Sequence, residues 1–406
     1  MEPRPYHLCV GEPILQDLRM RLQRTRRLPG GAPSDWTRGV DPDYLDGLVG
    51  YWLDGFDWHL QEKRLNAQPQ FKAHIGDDQI YFLHIKGRAA ESMPLLLLHG
   101  WPDSFLRYSK VIPLLADPRR VGGRLDDAFN VVVPSLPGFP LSSPMRCPAG
   151  VPADRHTAQL LWRLMTESLG YDSFAVAGGD AGSVLAQILA ISYPQSVVAI
   201  HLTDIGWPAA DVDPSSLTRP EARFVSGLRK RFMADGAYAA VQRSQPRSLA
   251  VGLNDSPLGL ACWIVDRLRS CSDERHDFKR SFSKDDLLTN IVLFWATQTI
   301  GSSLLSYHSE ARSPALTPHS FVVKPVGLAL FPFDGAGIPP RSFAERTLNV
   351  RRYTRMPRGG HFAALEEPAL LARDLIEFFR PLRTWTRLLT RPVKHLATER
   401  YAPESR

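Results

Sequence analysis

The chain has little cysteine: four residues in 406, Cys9, Cys147, Cys262 and Cys271, none of them in a Cys-x-x-Cys pair. That spacing indicates neither a zinc site nor a disulfide framework, and the thiols read as reduced, as in a cytoplasm. Long hydrophobic runs are also missing. "PLLLLHG", starting at Pro94, falls far short of the roughly 20 apolar residues that cross a bilayer, and "MEPRPYHLCVGEP" has no signal-peptide core. A soluble cytoplasmic protein with no membrane span is expected. No repeat, low-complexity block or nucleic-acid motif is present. The formal net charge of +7 sits mainly at one end, where residues 380–406 carry seven Lys or Arg against Glu399 and Glu404. A solvated basic tail accounts for that excess, so no nucleic-acid partner is expected.

What is present is enough apolar residue, 44%, to bury a large core. The pattern divides the chain into five segments. Residues 1–90 form an aromatic-rich N-terminal segment that opens on a helix, "EPILQDLRMRLQRTR", with Ile14, Leu18, Met20 and Leu22 as its apolar stripe. Trp36, Trp52 and Trp58 follow, and "DDQIYFLHIKG" belongs to a hairpin. Residues 91–205 alternate buried strands with helices, which predicts a mostly parallel sheet covered by helices on both faces. Residues 206–315 turn helical, including "SPLGLACWIVDRLRS", where Ser256 is placed to cap a helix and Pro257 to occupy its first turn. Strands return in residues 316–381 with "VGLALFP" and "VRRYTRMP", and the basic tail is 382–406. A helical block interrupting an α/β core is the pattern of an inserted lid.

The turn "GGDAG", Gly178 to Gly182, lies between a strand and a helix and displays Asp180 where ligands bind in an open α/β sheet. Small neighbours are required there, because side chains would collide with the following helix. Asp180 alone could simply be the N-cap of that helix. Two later loops alter the reading: "FPFDGAG" supplies Asp334 and "PRGGHFAALEEP" supplies His361, in the chain order nucleophile, acid, histidine. Asp204, at the end of "VVAIHLTD", is the alternative acid. "HGWPDSF" leaves the first core strand, so the backbone N–H groups of Trp101 and Ala181 are candidates for an oxyanion hole.

Together "FDWHLQEKRLNAQPQF", "HGWPDSF", "GGDAGS", "LNDSPLGLACWI", "FPFD" and "RGGHFAALEEP" resemble the epoxide hydrolases of the α/β-hydrolase superfamily, microsomal and juvenile-hormone type, over nearly the whole chain. The resemblance implies an α/β-hydrolase fold with a helical lid and an N-terminal extension. It implies Asp180 as nucleophile, His361 as base, Asp334 as orienting acid, and Tyr238 and Tyr307 as lid tyrosines that protonate the opening ring. No cofactor or metal is implied, and the membrane anchor of the microsomal relatives is expected to be absent. The expected substrate is a large apolar or aromatic epoxide, from lid aromatics such as Trp263, Phe294 and Trp295, residues that could equally form the core of the lid. Ala237 before Tyr238 and Ala181 after Asp180 depart from the family pattern. An epoxide-opening cyclase would share these residues. A haloalkane dehalogenase would want an indole at 181, an esterase would want serine at 180 rather than at Ser183, and a binding protein would have lost part of the set. Oligomeric state, including a homodimer, stays open.

Overall fold

In a computed structural model, residues 2–27, 34–206, 212–273, 278–317 and 319–383 are described. All but two residues of the basic tail 382–406 lie outside them. Nine strands form one sheet in the order β1-β2-β3-β5-β4-β6-β7-β8-β9. These are β1 (Arg4–Pro5), β2 (Gln70–Ile75), β3 (Asp78–Ile85), β4 (Met93–Leu98), β5 (Phe129–Pro134), β6 (Phe174–Gly178), β7 (Val197–Leu202), β8 (Val322–Leu330) and β9 (Leu348–Arg355). The first three strands and β5 pair antiparallel, and every pairing from β5 through β4 to β9 is parallel. This is the α/β-hydrolase arrangement, with the uninterrupted apolar strands β4 to β7 at its centre. Leu95 to Leu98 and Val131 to Val133 are fully buried, as strands covered on both faces must be.

Helices fill the interval between β7 and β8, from Arg219–Asp235 to Ile300–Arg312. Ser256 caps Pro257–Ser270 by accepting from Gly259 N–H at 3.0 Å, and Pro257 occupies the first turn. Among the described residues no single helix is long and apolar enough to cross a membrane.

The N-terminal helix runs Glu12–Gln23, but its stripe is narrower than the pattern predicts. Leu18 and Leu22 are buried, whereas Ile14 and Met20 are exposed. Leu15, Leu18 and Leu22 are spaced three and four apart and alone face the core, so the helix touches along one row. It lies against the helical block: Arg21 bonds the Asp255 carboxylate at 2.8 Å and stands over the Trp295 ring. Tyr51, on Pro42–Asp54, donates to Asp285 at 2.7 Å.

Candidate active site

β6 ends at Gly178, and the Ala181–Ser192 helix begins three residues later. So sharp a reversal packs the helix start onto β4: a Cβ on Gly182 would strike the Leu98 carbonyl, and one on Gly178 would strike the Gly182 carbonyl. Asp180 sits at the apex with φ 59° and ψ −130°, a strained backbone for a residue with a side chain. Its carboxylate is divided between two tasks. Oδ1 accepts from Ala181 N–H at 2.7 Å and from Trp101 N–H at 3.1 Å. Oδ2 faces His361 Nε2 at 3.2 Å. Capping the helix therefore occupies Oδ1 alone and leaves Oδ2 to face His361.

His361 follows β9, and its Nδ1 faces Asp334 Oδ2 at 3.2 Å in the loop after β8. Burial opposes a charge on this ring, but Asp334 and Asp180 outweigh it and hold the imidazole pKa well above its ordinary value. Burial likewise opposes charge on Asp180; the His361 hydrogen bond and charge, the Ala181 N–H and Arg107 overcome it and bring its pKa down to about 2. Each group thus favours the charged form of the other, which draws the pair toward carboxylate and imidazolium.

Asp204 has a different position from the one that an orienting acid needs. Its Oδ2 accepts from Asp180 N–H at 2.8 Å and its Oδ1 from Gly206 N–H at 2.9 Å, so it braces the strained turn while Asp334 takes Nδ1. Burial and the neighbouring Asp334 push its pKa up. Asp204, Asp334 and His361 bring potential ligand atoms within 4.8 Å of one another, yet those atoms already bond one another or backbone N–H groups. Ser183 is buried and donates to the Gly178 carbonyl at 3.2 Å, inside the helix rather than at the apex.

Tyr238 and Tyr307 come from Ala237–Ser244 and Ile300–Arg312 and meet edge to face, ring centroids 6.2 Å apart. The Trp101 indole stacks on Tyr238 at 5.9 Å and packs its edge against Tyr307 at 6.0 Å. Its side chain is a wall of the site, which the sequence did not reveal. Burial, with the nearby Asp180 charge adding to it, raises both phenol pKa values and keeps them protonated. One cavity joins these tyrosines to Asp180, His361 and Asp334. Phe294 and Trp295 are buried in the helical block, and neither they nor Trp263 line it. Their aromatic surface is spent on packing, so it says nothing about the substrate.

Residues 3–108 match the family model described as "Epoxide hydrolase N terminus", and residues 93–298 match "alpha/beta hydrolase fold". Epoxide hydrolase 1 of Oryctolagus cuniculus is 32% identical over 412 residues, covering 92% of this chain and 88% of the relative. The chain belongs to the epoxide hydrolase family. Juvenile hormone epoxide hydrolase 2 of Ctenocephalides felis is 28% identical over 399 residues, covering 92% and 84% of the two chains. The solved Aspergillus niger epoxide hydrolase superposes with a TM-score of 0.79 at 27% identity, over 94% of this chain and 97% of that one.

In this epoxide hydrolase the histidine loop is held by groups that sequence reasoning missed. Arg107 is 2% exposed; it bonds Asp103 at 2.5 Å and the His361 carbonyl at 2.6 Å. Glu366 accepts from the backbone N–H groups of Gly360, Phe362 and Asp273, and His361 N–H donates to the Cys271 carbonyl at 2.8 Å. The position of Asp103 within "HGWPDSF" and of Glu366 within "HFAALEEP" was visible, but what they hold lies in other segments.

Proposed function

We propose that the chain opens an epoxide to a vicinal diol through a covalent ester on Asp180. The division of the Asp180 carboxylate carries this reading: Oδ1 lies on two backbone donors and Oδ2 is turned to His361. Oδ2 attacks a ring carbon, its C–O bond forms, and the ring C–O bond breaks. Tyr238 and Tyr307 donate to the departing oxygen, which takes a proton from one phenol and becomes the first hydroxyl, and the His361 imidazolium gives up its proton to restore that phenol, which leaves the ring neutral. His361 then removes a proton from water, whose oxygen attacks the ester carbonyl carbon. Negative charge gathers on Oδ1, where Trp101 and Ala181 N–H groups already point; one such donor is worth roughly 3 kcal/mol. Collapse releases the diol and restores the carboxylate.

The electrostatics fit a switch in the role of His361. Asp180 is one of the two charges that hold the imidazolium. Once Asp180 is an ester that charge is gone, the imidazolium loses support, and the neutral base is favoured at the step that needs it. Asp334 remains on Nδ1 and stabilises the charge that returns.

One turnover in ¹⁸O-water with enzyme in excess tests the scheme. The diol is expected to carry no label, and Asp180 to take up ¹⁸O, as read by mass spectrometry of the diol and of the Asp180 peptide. Label in the first diol would mean direct attack by water. For the tyrosines, Tyr307→Phe and Tyr238→Phe are each expected to lower kcat by about 10- to 100-fold, since general acids supply about 10² to 10⁴ and one donor remains. A double variant retaining wild-type kcat would remove the phenols from the mechanism.

The cavity has a volume of about 120 Å³. An engineered cavity of about 150 Å³ takes benzene, so the buried part of the substrate is expected to be one ring or a short chain, smaller than the aromatic content alone suggested. A cytoplasmic setting is part of this reading: the exposed thiols of Cys9 and Cys147 suit a reducing compartment.

A further inference from the structure

We propose that the site selects epoxides carrying a hydrogen-bond-donating group, a protonated amine above all, a few bonds from the ring. The inference rests on epoxide opening at Asp180 and deepens it. The cavity that holds the reacting groups is not apolar throughout: Asp154, Glu310, Arg243 and Ser306 also line it. Asp154 and Glu310 belong to different helices, Ala153–Arg163 and Ile300–Arg312, which pack together and bring two carboxylates to one wall. Glu310 is one helical turn beyond Tyr307, so the acidic wall starts on the order of 5 Å along the helix from the tyrosine.

The charges at this end do not balance. Arg243 is the one cation facing the two carboxylates among the described lining residues there, at 3.8 Å from Glu310, a loose contact with no hydrogen bond. Arg267 also lines the cavity, but it bonds Asp266 at 2.6 Å and covers the Tyr238 ring, at the reacting end. No described residue donates to the Asp154 carboxylate or pairs with it. An acid in the first turn of a helix is favourable by itself, which explains a carboxylate at 154 but not its facing the same cavity as Asp180. Burial, and then the Glu310 charge, push the Asp154 pKa up to about 7, the mark of a carboxylate short of donors. Burial raises Glu310 as well, against Arg243. A substrate ammonium supplies both the donors and the missing positive charge, and a hydroxyl supplies a donor alone. A substrate carboxylate would add a third negative charge.

Four epoxides of one carbon skeleton, ending in ammonium, hydroxyl, methyl or carboxylate, test this with wild type, Asp154→Asn and Glu310→Gln. Wild-type kcat/KM is expected to fall in that order, with ammonium about 10-fold or more above methyl, the scale of a charged hydrogen bond. Each substitution is expected to shrink the ammonium-to-methyl ratio severalfold. A ratio does not depend on how much of a variant is folded, so a purely structural role for either acid would leave it unmoved. Equal turnover of ammonium and methyl epoxides by wild type, or ratios unchanged in both variants, would overturn the proposal. If wild type opens none of the four, methyl included, the epoxide reading beneath it fails too.

Discussion

Asp180→Ala is expected to lose turnover by roughly 10⁵- to 10⁶-fold, the scale on which removing a covalent nucleophile acts in other hydrolases. Steady-state diol formation measured beside the wild type, with a melting curve to show that the variant is folded, gives the answer. Three things vanish with this side chain: the attacking Oδ2, the partner of the His361 ring and the oxygen that fills the two backbone donors. Water held between His361 and the tyrosines could in principle attack the ring itself. Asp180→Ala keeps His361, Tyr238 and Tyr307, so a loss of only 10- to 100-fold would show that water can do so and that the ester is dispensable.

His361→Gln is expected to separate the two halves of the reaction. Attack by Asp180 needs no base, because the carboxylate is ionised well below neutral pH, and glutamine can still donate toward Oδ2. Ester formation should therefore survive, and steady-state turnover should fall by about 10³- to 10⁴-fold, the upper range for a general base. The intact variant, mixed with an epoxide that the wild type turns over, should gain the mass of one substrate, located to the Asp180 peptide. Absence of an adduct, together with lost turnover, would place His361 in the first step and not the second. The same substitution also removes the imidazolium that lowers the Asp180 pKa, so the rate of adduct formation should decline at lower pH sooner than in the wild type.

Asp180, Asp334 and His361 were legible because each follows a strand in a short run whose glycines report a tight turn. The parallel centre of the sheet was legible for a similar reason, since β4 to β7 are short, continuous apolar runs separated by helical ones. The choice between Asp334 and Asp204 was not. Both end strands, and only the fold shows that one meets a ring nitrogen while the other meets the Asp180 N–H. Arg107 and Glu366 escaped because their function is to bond backbone groups, which carry no residue identity in a sequence. Trp263, Phe294 and Trp295 stayed ambiguous for the opposite reason: an aromatic residue in a helical block has the same pattern whether it lines a cavity or fills a core. Asp154 and Glu310 stand more than 150 positions apart, and only the packing of their helices makes them one wall.

The backbone at Asp180 has a further consequence. A side chain at φ 59° and ψ −130° costs about 1 to 3 kcal/mol, a substantial share of a folded chain's margin of about 5 to 15 kcal/mol. Selection for heat resistance alone would have reason to relax this one turn, and glycine would fit it without strain. Evolution toward a tougher protein and evolution toward a faster one therefore pull in opposite directions at position 180. A thermostable descendant that keeps its chemistry must gain its margin elsewhere.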